Sequence, residues 1–169
     1  MPPRQARVLV DTNAIEAAHD VGCWNALRQH FRLETAAYCA EEATRLDRKG
    51  RRLVERTLEE LRGDLVCHEV NDTDRAALAL RLQGQVDLDD GERDVLSIAL
   101  KLGEPVWWLC GPDKATLRAM HLLNLLDQAC SLETLARSAG LRPRGLGQEH
   151  TEAWLSKKRT QLILGMEII

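Results

Sequence analysis

The chain has 169 residues, 44% of them hydrophobic and 29% charged, a balance that suits one soluble domain with a full-sized core and leaves little for a second. Its net charge of −3 excludes a protein that holds nucleic acid by bulk positive charge alone. It does not exclude a nuclease whose acids gather around a divalent cation, because the cation cancels part of the negative field and leaves the basic residues to meet phosphates.

Asp11 ends the apolar run Val8-Leu9-Val10 and precedes a helix start at Thr12-Asn13. Apolar residues buried on both faces make a short central strand of a parallel sheet, and its carboxyl end is where open α/β sheets bind ligands. The next helix runs through Trp24, Leu27 and Phe31, with Gly22 a point of breakage. A strand-like piece, Thr35 to Cys39, leads into a long charged helix expected from about Glu41 to Leu61 and ended by Gly63. Leu65 to Val70 reads as a second solid strand, and Asn71 and Thr73 start a helix from Asp74 to about Gln83, closed by Gly84. Asp89-Asp90-Gly91 opens a helix carrying Val95, Leu96, Ile98, Ala99 and Leu102 before Gly103. Pro105 to Cys110 is another strand, turning at Gly111-Pro112 into a helix that begins near Asp113. The alternation implies a three-layer α/β/α fold around a mostly parallel sheet.

From Ser138 the character changes. Gly140, Pro143, Gly145 and Gly147 form a loop before a terminal helix from about Glu149 to Leu164, with Trp154, Leu155, Leu162 and Ile163 as its apolar set. Residues 1–137 thus read as the domain and 138–169 as an appendage that either packs back on the sheet or meets a second copy as a homodimer. No apolar run reaches the roughly 18 residues of a membrane span. Met1-Pro2-Pro3-Arg4 lacks an apolar export core, so the expected location is cytoplasmic. Cys23, Cys39, Cys67, Cys110 and Cys130 lie singly in apolar surroundings and read as reduced core thiols, and neither His19 with Cys23 nor Cys67 with His68 shows the second half of a zinc site.

Acids recur at the junctions: Asp11 after the first strand, Glu41 and Glu42 opening the long helix, Glu92 and Asp94 in the first turn of the next, Asp113 after the Trp-rich strand. Any one of them is explained by the helix macrodipole or by capping. Four junctions in a row are not. The ordered set Val8-Leu9-Val10-Asp11-Thr12-Asn13, Cys39-Ala40-Glu41-Glu42-Ala43, Gly91-Glu92-Arg93-Asp94-Val95 and Gly111-Pro112-Asp113-Lys114-Ala115 resembles the motifs of the PIN-domain ribonuclease family over roughly residues 7 to 137. Ser131 to Leu135 is similar to the family's closing segment. The chain departs from the fourth motif, where Gly111-Pro112 stands in place of a small hydroxyl or amide residue.

Helical phase selects among the paired acids. At about 100° per residue, Glu92 lies roughly 50° from the centre of the Val95 stripe and Asp94 roughly 110° away. Glu92 is expected at the sheet edge, and Asp94 as an outer metal ligand, a water contact or solvent-facing. On the long helix, with Leu46, Leu53, Val54, Thr57 and Leu61 inward, Glu42 falls about 80° off centre and Glu41 near the opposite face.

The resemblance implies an endoribonuclease that leaves 5′-phosphate and 3′-hydroxyl ends through a Mg²⁺ or Mn²⁺ site. Asp11 would be the central ligand, with Glu42, Glu92 and Asp113 completing it, and Asp94 contributing. Such cations prefer carboxylate and water oxygens, and an empty cluster of carboxylates shows raised pKa values. Thr12 and Asn13 would steady Asp11 or a water at the metal. Arg45, Arg48 and Lys49 beyond Glu42, with Lys114 and Arg118 after Asp113, are the candidate grip on single-stranded RNA. Either a toxin silenced by an antitoxin protein or an RNA-processing nuclease fits. The alternative is a catalytically incomplete PIN-fold module that binds RNA or protein. A phosphotransferase using Asp11 as nucleophile fits less well, because Asn13 stands where a second aspartate is commonly wanted.

Overall fold

The computed structural model describes residues 1–52, 54–103 and 107–169. Four strands, β1 (Arg7–Val10), β2 (Arg32–Ala36), β3 (Val66–His68) and β4 (Trp107–Cys110), form one parallel sheet in the order β3-β2-β1-β4. Val8 pairs with Leu33 on one side and with Trp108 on the other, so β1 is central. Its side chains alternate across the sheet: Val8 and Val10 join one core, Leu9 the other. Helices α1 (Thr12–Asp20), α2 (Trp24–His30) and α8 (Leu132–Ser138) cover the first face with Ile15, Leu27 and Leu135. Helices α5 (Asp72–Leu82), α6 (Asp90–Leu102), α7 (Lys114–Leu122) and α9 (Glu152–Ile163) cover the second with Leu78, Leu96, Leu117 and Leu155. The fold is therefore the expected three-layer α/β/α sandwich. Because the chain leaves β1 toward β2 while β4 joins from the other side, the strand order reverses between β1 and β4. That crevice is where such sheets bind ligands.

Gly22, with φ of +72°, separates α1 from α2 as its position suggested. The long helix of 41–61 is absent. Helix α3 (Ala37–Ala43) ends at Thr44, and α4 (Leu58–Asp64) starts afresh from Thr57, whose hydroxyl and Glu60 form a reciprocal capping box. Between them Asp47 bends the chain back by accepting from the amides of Lys49 and Arg51, Gly50 takes φ of +73°, and Leu46 bridges Arg52 in antiparallel fashion. Side-chain capture of backbone amides by an aspartate outcompetes helix propagation here. Gly63 lies inside α4 rather than past its end. The strand predicted at Thr35 to Cys39 lies a few residues earlier, because the chain turns helical at Ala37. Leu53 of the predicted inner stripe, and Pro105 and Val106 of the predicted fourth strand, lie outside the described residues.

The C-terminal segment packs back on the sheet. Leu155, Leu162 and Ile168 are buried in the second core, Arg159 donates to the Ala129 carbonyl at 2.7 Å, and Glu152 receives the hydroxyls of Ser131 and Thr134 at 2.9 Å each. Ile163, predicted apolar and inward, is 64% exposed. No helix among the described residues is long and apolar enough to cross a membrane.

A second polar feature ties three strands together away from the crevice. Glu34 of β2 is buried, receives Arg7 of β1 at 2.7 and 3.1 Å, and meets His68 of β3 at 2.6 Å. Burial alone would raise its pKa, but the hydrogen bonds and charges of Arg7 and His68 prevail and hold it below the ordinary value.

Candidate metal centre

Asp11 follows β1 directly and caps α1, its Oδ1 accepting the Ala14 amide at 2.8 Å. Capping therefore belongs to Asp11 itself and not to Thr12 or Asn13, and it coexists with a buried position, 7% exposed, at the strand end. The Asp11 amide donates to the Cys110 carbonyl at 3.3 Å, so the β1–β4 ladder continues up to the carboxylate. Gly111 comes next on β4's side. A Cβ there would stand 3.0 Å from Asp11 Oδ2, tighter than an ordinary contact, so the glycine at this departure from the fourth motif spares Asp11 a crowding side chain.

Two other site carboxylates face the same space, and a third, Asp113, stands beside it on the neighbouring groove. Glu42 projects from the last turn of α3 and accepts the Thr12 hydroxyl at 2.6 Å on Oε2. Thr12 thus steadies Glu42, not Asp11. Glu92, in the first turn of α6, accepts the Asp89 amide at 2.9 Å on Oε2 while Asp89 Oδ1 receives the Glu92 amide at 2.8 Å, a capping box that fixes the side chain's direction. Asp113 caps α7 through the Ala115 amide at 2.6 Å and lies within hydrogen-bonding reach of Glu92. Each of the four carboxylates therefore has one oxygen oriented by a donor of its own surroundings. A cavity of about 220 Å³ is lined by Asp11, Thr12, Asn13, Glu16, Cys39, Glu42, Asp89, Gly91 and Glu92.

Electrostatics mark the same place. Burial, with Asp113, Asp89 and Glu16 adding repulsion against the Ala14 hydrogen bond, pushes Asp11 from 3.8 to about 7. Burial and a proton shared with Asp113 push Glu92 from 4.5 to about 8. Glu16 is also raised, by burial and by Glu42. Cys39 is pushed up to about 12 by burial, so its thiol stays protonated and the hard oxygens are left as donors. These residues suit Mg²⁺ or Mn²⁺. Among the described residues no three histidine, cysteine, aspartate or glutamate side chains already stand at the separations of a closed metal site.

Beside the cavity and sharing Asn13 and Glu16 with it runs a larger groove of about 560 Å³, also lined by Ala17, Asp20, Pro112, Asp113, Glu149 and His150. Asn13, expected to steady Asp11 or a water at the metal, lines both the cavity and this groove as part of the polar stripe of α1. Glu16, Asp20, Asp89, Glu149 and His150 were not singled out from the sequence. The spacing of Asn13, Glu16 and Asp20 along one helix face carried a signal, as did the capping pattern Asp89-x-x-Glu92. Glu149 and His150 carried none, since only the return of the C-terminal segment brings them here.

Other predicted site residues lie elsewhere. Asp94 is 3% exposed and gives both oxygens to Arg75, at 2.8 and 3.0 Å, so its place in the predicted metal set is corrected to a buried ion pair joining α5 to α6. The phase argument had placed it away from the core; the arginine is what makes its burial tolerable. Arg118 donates to the Ile168 carbonyl at 2.5 Å, and Lys114 is exposed beside Asp113. Arg45, Arg48 and Lys49 are exposed on the Asp47 turn rather than along a helix, Arg45 lying 5.7 Å from the Tyr38 ring centroid. Trp107 is core, donating to the Gly103 carbonyl at 2.8 Å.

No protein-family model matches the chain, and no curated protein matches it.

Proposed function

We propose that the chain is a divalent-metal-dependent endoribonuclease of the PIN-domain kind, as its motifs imply. The observation that carries the reading is the meeting of Asp11, Glu42, Glu92 and Asp113, from four separate stretches of sequence, at one strand-order reversal, with Asp11 and Glu92 raised to about 7 and 8. A structural cluster gains nothing from holding carboxylates near one another and out of water. A site that receives a cation does.

In this reading Asp11, Glu42, Glu92 and Asp113 hold Mg²⁺ or Mn²⁺, which when bound activates water and neutralises charge gathering on the phosphodiester. The chain's own residues set the geometry. The Ala14 amide and Thr12 hydroxyl aim Asp11 and Glu42, and the Asp89 and Ala115 amides aim Glu92 and Asp113. Gly111 keeps the space at Asp11 Oδ2 clear of a side chain.

The test is cleavage of single-stranded RNA with Mn²⁺, with chelator, and by Asp11→Asn. Only the unsubstituted chain with metal is expected to cut, giving 5′-phosphate ends. Cleavage that persists in Asp11→Asn would overturn the mechanism.

A further inference from the structure

Nine of the chain's 23 lysines and arginines are neutralised in place. Arg7, Arg28, Arg51, Arg56, Arg62, Arg75, Arg93, Lys101 and Arg137 each have a carboxylate within ion-pair distance. Where α7 packs on α9, four cations stand close together without such a partner. Lys114 and Arg118 of α7 and Lys157 and Lys158 of α9 have no carboxylate side chain in ion-pair range among the described residues, although the chain has 26 acids to supply one.

They are also held together. Arg118 donates to the Ile168 carbonyl and Lys158 to the Ile169 carbonyl at 2.7 Å, so two consecutive residues of the C-terminal segment pin cations from both helices. Lys158 lies 5.9 Å from the Trp154 ring centroid, which fixes its stem. Burial lowers its pKa, and the charges of Lys114, Lys157 and Arg118 lower it further, which is what close like charges do. Lys114 and Lys157 are exposed with no hydrogen-bonded partner among the described residues. Unneutralised cations repel, and the contacts of Arg118 and Lys158 leave Lys114 and Lys157 without a partner among the described residues. An anion from outside would.

Position says which anion. Lys114 follows Asp113, which stands beside Glu92, so the patch begins one residue from the carboxylate cluster. The groove that Asp113 shares with Glu16, Asp20 and Glu149 is acidic and repels phosphate. A polyanion reaching the carboxylates is thus steered to the α7/α9 side. We propose that the face formed by α7 and α9 binds the phosphate backbone of single-stranded RNA and leads it to the carboxylate cavity, with Lys114 and Lys157 as the phosphate contacts. Its destination rests on the ribonuclease reading; the surface itself does not.

The experiment measures affinity for a labelled single-stranded RNA by fluorescence anisotropy across a salt series, in the Asp11→Asn background so that the probe stays intact. Lys114→Glu with Lys157→Glu is compared with Arg32→Glu and Arg81→Glu, which change net charge equally at distant exposed sites. With two phosphate contacts removed, binding is expected to weaken at least about tenfold and the slope of log K against log salt to fall by about 1.4, at roughly 0.7 per contact on a single strand. The distant pair should leave the slope unchanged. Single-stranded DNA of the same sequence should show the same loss, since phosphate is common to both, and a loss confined to RNA overturns the phosphate assignment. Unchanged affinity and slope in the folded Lys114/Lys157 variant, judged by its thermal midpoint, overturns the proposal outright. A chain that binds RNA through these lysines but never cuts it defeats the ribonuclease reading and leaves this surface standing.

Discussion

Asp11 performs two jobs whose energetics oppose each other. As the cap of α1 it accepts the Ala14 amide, a contact worth about 1 kcal/mol. As a buried carboxyl raised from 3.8 to about 7 it destabilises the fold whenever it must ionise. In the unfolded chain it loses its proton near pH 4, whereas in the folded chain it keeps it to about pH 7, so stability is greatest at the acid end and falls as pH rises through that interval. Glu92, raised to about 8, extends the fall to slightly higher pH. Without divalent cation, the midpoint of thermal unfolding should therefore drop between pH 5 and pH 8, and Mn²⁺ should restore it most at pH 8; a midpoint that rises over this range would refute the burial argument. Asparagine caps a helix as well as aspartate does and carries no charge. Asp11→Asn is accordingly expected to stabilise the metal-free chain at pH 8 by on the order of 2 to 4 kcal/mol, from about 1.4 kcal/mol for each unit of raised pKa, while abolishing the Mn²⁺ effect. Gly111→Ala tests the neighbouring requirement: its Cβ would crowd Asp11 Oδ2 at 3.0 Å, so Mn²⁺ affinity by calorimetry should fall about tenfold or more.

At the scale of elements, the chain shows which local signals win. The capping box of α4, Thr57 with Glu60, starts a helix where the periodicity of hydrophobic residues suggested the middle of one. Thr57→Ala is expected to cost about 1 kcal/mol in denaturant unfolding, a loss that a continuous helix through this position would not show. The same competition explains what was legible beforehand. β1, α6 and β4 carry apolar runs or a clear helical stripe with caps at their ends, and their positions agree with the sequence to within a residue or two over the described residues. The segment after Glu42 carries the same helical periodicity, but Asp47 and Gly50 break it with contacts that periodicity does not register. Glu42 was nevertheless selected over Glu41, by a phase computed on a helix that is not there. The choice agrees with the structure for another reason: α3 is helical up to Ala43, so Thr12 meets Glu42 while Glu41 stays exposed, 3.9 Å from Arg62. Asp94 shows the reverse case. Its phase pointed outward, yet it is buried, because its partner Arg75 sits on another helix and no local rule reveals such a pairing.

The whole molecule is where the C-terminal 30 residues acquire their meaning. By composition they resemble an addition to a finished domain, but Leu155, Leu162 and Ile168 share one buried cluster with Leu109 of β4 and with Leu117 and Met120 of α7. The same segment supplies Glu149 and His150 to the groove beside the carboxylates, and Lys157 and Lys158 to the basic face. Cutting the chain after Ala139 therefore removes one side of the second core rather than a tail. Losing three buried aliphatic side chains, at about 1.5 to 3 kcal/mol each, takes away on the order of 5 to 9 kcal/mol, which matches the entire stability of an ordinary domain. The truncated chain is expected to lose its cooperative thermal transition and to expose apolar surface that binds a hydrophobic dye, instead of merely changing its elution on size exclusion as a chain deprived of a dimerisation helix would. A truncated chain that remains folded and monomeric with an unshifted midpoint would show that the second core closes without α9. Leu155→Ala is the milder form of the same test. It should cost about 2 to 5 kcal/mol in the full-length chain, since Leu155 is 4% exposed within the second core.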